Sequence, residues 1–232
     1  MRRVPWLMMA MMLGTGACAV AQSPQTKAHA KAGSLTEFID AAQLEPDLTR
    51  GARLFESCAA CHGPDGRGTE DGEIPAIAGQ HGSVLLKQLT DFRHAQRRDE
   101  RMQYFADRHH LPGPQELTDV AAYVASLPRF PRTGDGIGDG ASLGEGASVY
   151  FRDCEHCHGP LGQGDLLLRR PRLAGQHYAY LLRQLQDSAE KRRPGMGADH
   201  SAMLQKISSA QLRGVADYLS RVSPDLSSID RR

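Results

Sequence analysis

Two five-residue stretches, Cys58-Ala-Ala-Cys61-His62 and Cys154-Glu-His-Cys157-His158, constrain everything else in the chain. Both read C-x-x-C-H, the pattern by which a c-type haem is attached covalently. Residues three apart share one face of a helical turn, so the two cysteines can reach both vinyl groups of one porphyrin. The histidine that follows can offer a ring nitrogen to the iron. Cys58 and Cys154 stand 96 residues apart in a chain of 232 residues with five cysteines. A zinc site built from two C-x-x-C pairs wants a spacing of roughly 15–20 residues. A thioredoxin-like redox pair wants a βαβ setting, which the pattern lacks. Two structural disulfides suit an exported protein. None of these accounts for a histidine directly after both second cysteines. The reading is two covalently bound haem c groups, anchored by Cys58, Cys61, Cys154 and Cys157, with His62 and His158 as proximal iron ligands.

The N-terminus reads as an export signal over residues 1–21. Arg2 and Arg3 precede an apolar run from Val4 to Leu13, and Ala19-Val20-Ala21 supplies an A-x-A cleavage site. That run is too short for a mature membrane span, and no later segment is apolar enough for a transmembrane helix. Thr15-Gly16-Ala17-Cys18 also resembles a lipoprotein box, so a lipid anchor at Cys18 stands beside soluble export.

The chain is one unit written twice. Cys-His-Gly-Pro recurs at 61–64 and 157–160, and Pro75-Ala-Ile77-Ala-Gly-Gln-His81 matches Pro171-Arg-Leu173-Ala-Gly-Gln-His177. Phe55 and Phe151 each stand three residues before the first cysteine. Leu85, Leu89 and Phe92, like Leu181, Leu182 and Leu185, fall at helical spacing. A closing amphipathic helix carries Leu117, Val120, Ala121, Val124 and Leu127 in the first unit, and Leu212, Val215, Ala216 and Leu219 in the second. The pattern predicts an all-α chain divided into a flexible leader (22–44), a first domain (45–128), a Gly/Pro linker (129–144), a second domain (145–224) and a tail (225–232). Domains this small bury little surface of their own, and a haem supplies a large apolar nucleus.

These repeats and motifs resemble the two-haem class I cytochromes c, the c-four type, over roughly residues 46–222. The resemblance implies one haem per domain, held between crossing N- and C-terminal helices. It also implies export to the periplasm and a loop methionine as the sixth iron ligand. In the first unit that is Met102, 40 residues after His62, with His109 and His110 as the fallback. In the second, Met196 follows Arg192-Arg193-Pro194-Gly195 much as Met102 follows Arg97-Arg98, and it is preferred. Met203 and His200 stay open. The proximal rings should donate to backbone carbonyls from the loops of Pro64/Pro75 and Pro160/Pro171. His81 and His177 read as capping or surface residues and His156 as an exposed haem-edge residue. The pairs Arg97-Arg98 and Arg192-Arg193 read as partners for haem propionates or as a solvated face.

The implied role is electron transfer between redox partner proteins, namely membrane respiratory complexes and small periplasmic carriers, by a monomer or weak dimer. The runners-up are a dihaem peroxidase-like enzyme with one open iron site and the cytochrome subunit of a particular dehydrogenase or oxidase. The formal charge of +1 is no nucleic-acid signature. It is unevenly spread: residues 22–128 carry 11 basic and 15 acidic side chains, residues 129–232 carry 15 and 12.

Overall fold

A computed structural model describes residues 24–129 and 138–223. The expected signal peptide, Cys18, the whole of the tail and linker residues 130–137 lie outside them. The described residues are helical, and their only β pairing is one isolated bridge between Asp165 and Arg170. No described helix is long and apolar enough to cross a membrane.

The first lobe is built from α1 (Pro24–Ala42), α2 (Leu48–His62), α3 (Gly82–Arg93), α4 (Glu100–Phe105) and α5 (Pro114–Ser126). Asp47 caps α2 by accepting the Arg50 amide at 2.9 Å. α2 and α5 cross at Gly51, where a side chain would run into the Asp119 carbonyl. Phe55 then meets Tyr123 with ring centroids 5.5 Å apart, and Leu86, Leu117, Val120 and Val124 complete the core.

The flexible leader expected over 22–44 is corrected by α1, which packs against α3 and α5. One stripe of it, at positions 34, 37, 38 and 41, is buried. Phe38 and Ala41 enter the core, and the Thr118 hydroxyl donates to the Ala41 carbonyl at 2.7 Å. Ser34 donates to Asp91 at 3.0 Å. Glu37, only 6% exposed, receives Arg93 at 2.6 Å, His94 at 2.7 Å and Arg108 at 2.9 Å. Half of the stripe is polar, so hydropathy alone does not reveal a docked helix.

The second lobe uses α6 (Leu143–Val149), a π turn (Tyr150–Cys154), α7 (Glu155–His158), α8 (Tyr178–Ala189), a 3-10 turn (Pro194–Met196), α9 (Ala198–Leu204) and α10 (Ser209–Arg221). α6 and α10 cross at Gly146 and Gly214, again glycine against backbone. The π turn takes in one more residue per turn than an α-helix. It changes which ring enters the core: Tyr150 is fully buried beside Tyr218, whereas Phe151, the sequence counterpart of Phe55, is 49% exposed.

The lobes meet through the repeated Ala-Gly-Gln-His segments in a pseudo-two-fold arrangement. Gln80 receives the Arg172 amide at 2.8 Å and donates to the Arg172 carbonyl at 3.0 Å. Gln176 does the same to Ala76, at 3.1 and 2.7 Å. His81 donates to the Gln163 carbonyl at 3.0 Å, and His177 to the Arg67 carbonyl at 2.8 Å. The two histidines do stand at the N-caps of α3 and α8, but their rings bind the other lobe rather than their own helix.

Candidate haem centres

Both C-x-x-C-H motifs end a helix. Gly63 and Gly159 follow the histidines at φ 78°, in the left-handed region that favours glycine, and turn the chain away. His62 and His158 are buried. His62 Nδ1 donates to the Pro75 carbonyl at 3.0 Å, and His158 Nδ1 to the Pro171 carbonyl at 3.3 Å. Such a bond fixes the tautomer and leaves Nε2 to bind a metal. Burial lowers the pKa of His62 below the ordinary imidazole range. It pushes His158 down to about 4, with the Pro171 carbonyl opposing and His200 and Arg170 reinforcing. Both rings are therefore neutral donors near pH 7. The four cysteines are free thiols, and burial raises Cys58 and pushes Cys154 up to about 11.

Pro75 and Pro171 are each followed by the residue that the other lobe's glutamine binds. The carbonyls that hold the proximal histidines are thus one residue from the lobe interface, and the interface fixes both centres at once.

A cavity of about 550 Å³ runs between the lobes, lined by both motifs and by a mostly apolar wall including Ile77, Leu89, Val124, Leu173, Leu185 and Leu219. Met102, Met196, His200 and Met203 all line it. Asp99 caps α4 by accepting the Met102 amide at 3.1 Å, which sets Met102 at a defined place on the wall. Met196 lies on the 3-10 turn, where Gly195 packs against the Gln96 carbonyl and Asp91 of the first lobe. Met203 also packs on the second core. His109 and His110 are not part of the lining; His110 stacks on Tyr104 and Phe105. His156 is exposed.

The expected arginine pairs line the same cavity. Arg97 donates to Tyr180 Oη at 2.7 Å and to Gln184 at 3.0 Å, and Arg193 donates to Gln88 at 3.0 Å. Burial beside Arg97 lowers Arg193 to about 10. Sequence reasoning missed Arg170 and Arg172 as members of this set. Their Nε atoms are buried without a hydrogen-bond partner, so each calls for an anion. Arg172 lies within the repeated segment, but a residue count cannot show that a guanidinium is desolvated.

This donor set fits a covalent haem in each lobe. It offers two free thiols, an imidazole tied back at Nδ1, an apolar wall, and buried guanidinium nitrogens suited to haem carboxylates. No three His, Cys, Asp or Glu side chains converge on a metal position among the described residues, so the cysteines form no zinc cage there.

The comparisons agree with this chemistry. The family model described as Cytochrome c matches residues 48–128 and again 143–223. Cytochrome c4 of Thiocapsa roseopersicina is 33% identical over 180 residues, covering 72% of this chain and 87% of that protein. The crystal structure of reduced cytochrome c4 from Pseudomonas stutzeri aligns with a TM-score of 0.66 at 29% identity, over 77% of this chain and 100% of that one. Thiosulfate dehydrogenase (TsdBA) from Marichromatium purpuratum aligns with a TM-score of 0.62 at 31% identity, over 77% of this chain and 40% of that one. With two helical lobes, two haem donor sets and a family match over each lobe, the chain belongs to the cytochrome c family, as a c4-like dihaem electron carrier with one covalent haem c per domain.

Proposed function

We propose that the protein is a periplasmic electron carrier of a respiratory chain, moving electrons from a quinol-oxidising complex toward a terminal oxidase or another acceptor. The observation that carries this is the joining of both histidine–thiol sets to one cavity across a reciprocal lobe interface. Haem, when bound, supplies a one-electron iron couple, and methionine ligation raises its potential. The chain does the rest. His62 is presented by the Pro75 carbonyl, and Met102 is its partner in the first lobe. His158 is presented by the Pro171 carbonyl in the second. The apolar wall excludes water, Arg170 and Arg172 neutralise carboxylates, and the paired glutamines hold the lobes in register.

Partners are membrane respiratory complexes and small carriers, met as a monomer or weak dimer through small transient interfaces. Soluble export and an anchor at Cys18 are both compatible with this role. A second reading, the cytochrome module of a larger oxidoreductase, is favoured by one observation, the likeness to a thiosulfate dehydrogenase that the chain covers only in part.

The test uses holoprotein made in a host that attaches haem c. Its mass should show two haems, its reduced spectrum should not change under carbon monoxide, and membranes rich in haem–copper oxidase should oxidise it rapidly. Peroxide turnover, or reduction that requires one dedicated dehydrogenase, would move the protein to one of the other readings.

A further inference from the structure

We propose that His200 closes the second haem iron on the side opposite His158, so that the two centres of this chain differ: histidine–methionine in the first lobe, bis-histidine in the second. This rests on the haem reading above and deepens it.

The first observation is a distance. Two imidazoles bound end-on to opposite faces of one metal, at about 2.0–2.1 Å per bond, set their ring centroids about 6.4 Å apart. The His158 and His200 ring centroids are 6.3 Å apart. Both rings line the cavity, and His158 has its Nδ1 engaged by Pro171, which leaves the other nitrogen for iron.

The second observation is an orphan. His200 Nδ1 is buried and meets no hydrogen-bond partner. Leaving a buried polar nitrogen unsatisfied costs roughly 1–3 kcal/mol. A histidine kept only for packing would leave this nitrogen unpaired, whereas iron bound through His200 Nδ1 gives it its partner.

The third is equivalence of position. Met102 is the third residue of α4, the short helix between α3 and the closing α5. His200 is the third residue of α9, the short helix between α8 and the closing α10. The two methionines that compete with it line the same cavity but sit in other settings. Met196 sits on a turn pinned toward the first lobe by Gly195 against Gln96 and by Arg193 on Gln88. Met203, one helical turn beyond His200, packs on the second core.

Histidine in place of methionine removes the ligand that raises the potential, so the second haem should titrate below the first. Electrons entering at the second lobe would then run downhill to the first.

The experiment uses full-length holoprotein with two covalent haems; fewer than two by mass would sink the haem reading itself, whatever the ligands. The near-infrared sulfur-to-iron charge-transfer band of the oxidised protein should have the intensity of one methionine-ligated haem per chain. Met102→Ala should abolish it, and Met196→Ala and Met203→Ala should leave it whole. His200→Ala should turn one haem high-spin and able to bind carbon monoxide, with added imidazole restoring the low-spin spectrum. His200→Met should double the band and raise the lower of the two midpoint potentials. The proposal falls if Met196→Ala or Met203→Ala halves the band, or if His200→Ala leaves both haems low-spin without added ligand. Should His200→Ala lose its second haem during production, the wild-type band intensity and the His200→Met potential decide alone.

Discussion

In the first lobe the chain enters the haem motif along one unbroken helix, α2. In the second it takes α6, a π turn and α7 to cover the same path. The consequence is visible in residue numbers. Gly51 and Gly146, the two crossing glycines, stand 95 apart, as do the core rings of Phe55 and Tyr150. Cys58 and Cys154 stand 96 apart. The π turn takes up the extra residue, so the crossing and the cysteines each keep their place. The short helices carrying Met102 and His200 are displaced by 98 residues, and the closing tyrosines, Tyr123 and Tyr218, by 95 again. Two lobes can therefore hold the same site with different spacing, provided that insertions fall in turns and are cancelled before the helices that cross.

The largest way to break the likeness is at α1, which buttresses the first lobe alone. Burial pushes the Glu37 carboxyl upward, but His94, Arg93 and Arg108 more than offset this and hold it below its ordinary value of 4.5. Removing one partner from a buried, paired set costs about 3–5 kcal/mol, because the other charge stays behind. Glu37→Ala should therefore abolish hydrogen-exchange protection of α1 and weaken that of α3, while α8 and α10 keep theirs. The pH dependence has a definite sign. A carboxyl whose pKa is lowered by folding contributes stability that is complete above its ordinary value and is lost as pH falls through the lowered one. Acidification below about pH 4.5 should loosen α1 before the second lobe, and the Glu37→Ala protein should lack that step. Equal loss of protection in both lobes would mean that α1 is no buttress.

A smaller difference lies at the core ring. Tyr150 donates its hydroxyl to the Gly159 carbonyl, next to the motif histidine, whereas Phe55 in the first lobe has no hydroxyl to give. Tyr150→Phe makes the second lobe like the first at this point. It should cost about 1 kcal/mol, the usual net worth of one hydrogen bond, and lower the melting temperature of that lobe by several degrees. An unchanged melting temperature would mean that the hydroxyl is incidental and that the ring alone matters.

What the sequence made legible follows from what each feature needs. The haem anchors and proximal ligands are local, three or four residues apart, and C-x-x-C-H states them outright. The crossing helices show in their apolar period. The carbonyls that orient the rings, from Pro75 and Pro171, were anticipated among four prolines. The docked α1 was not, since Ser34 and Glu37 are held by partners 57 and 56 residues away, and a hydropathy pattern cannot register those. Nor were the His81 and His177 contacts across the interface, because a repeat shows what recurs and not what it faces. The proposed assignment of the second distal ligand meets the same limit. Counting back from the closing helix favours Met196, because the connection from α4 to α5 spans residues 106–113 and that from α9 to α10 only 205–208. Counting by elements, rather than by residues, arrives at His200.

The smallest expected effect is the sharpest test of the register argument. If the π turn only absorbs one residue, deleting Phe151 should let the second lobe run as an unbroken α-helix. Tyr150 would then stand three residues before the first cysteine, as Phe55 does. Phe151 is 49% exposed and makes ring contacts at 5.7 Å with Tyr150 and 5.9 Å with Tyr218. The loss should be near the worth of such aromatic pairs, about 0.5–1.5 kcal/mol, with two covalent haems still attached and the second-lobe spectrum unchanged. Loss of the second haem would give the opposite result, that the π turn aims Cys154 and is part of the site. The control is an alanine inserted after Phe55 in the first lobe. If one residue can be absorbed on this path by widening a turn, that lobe should form a π turn of its own and keep its haem.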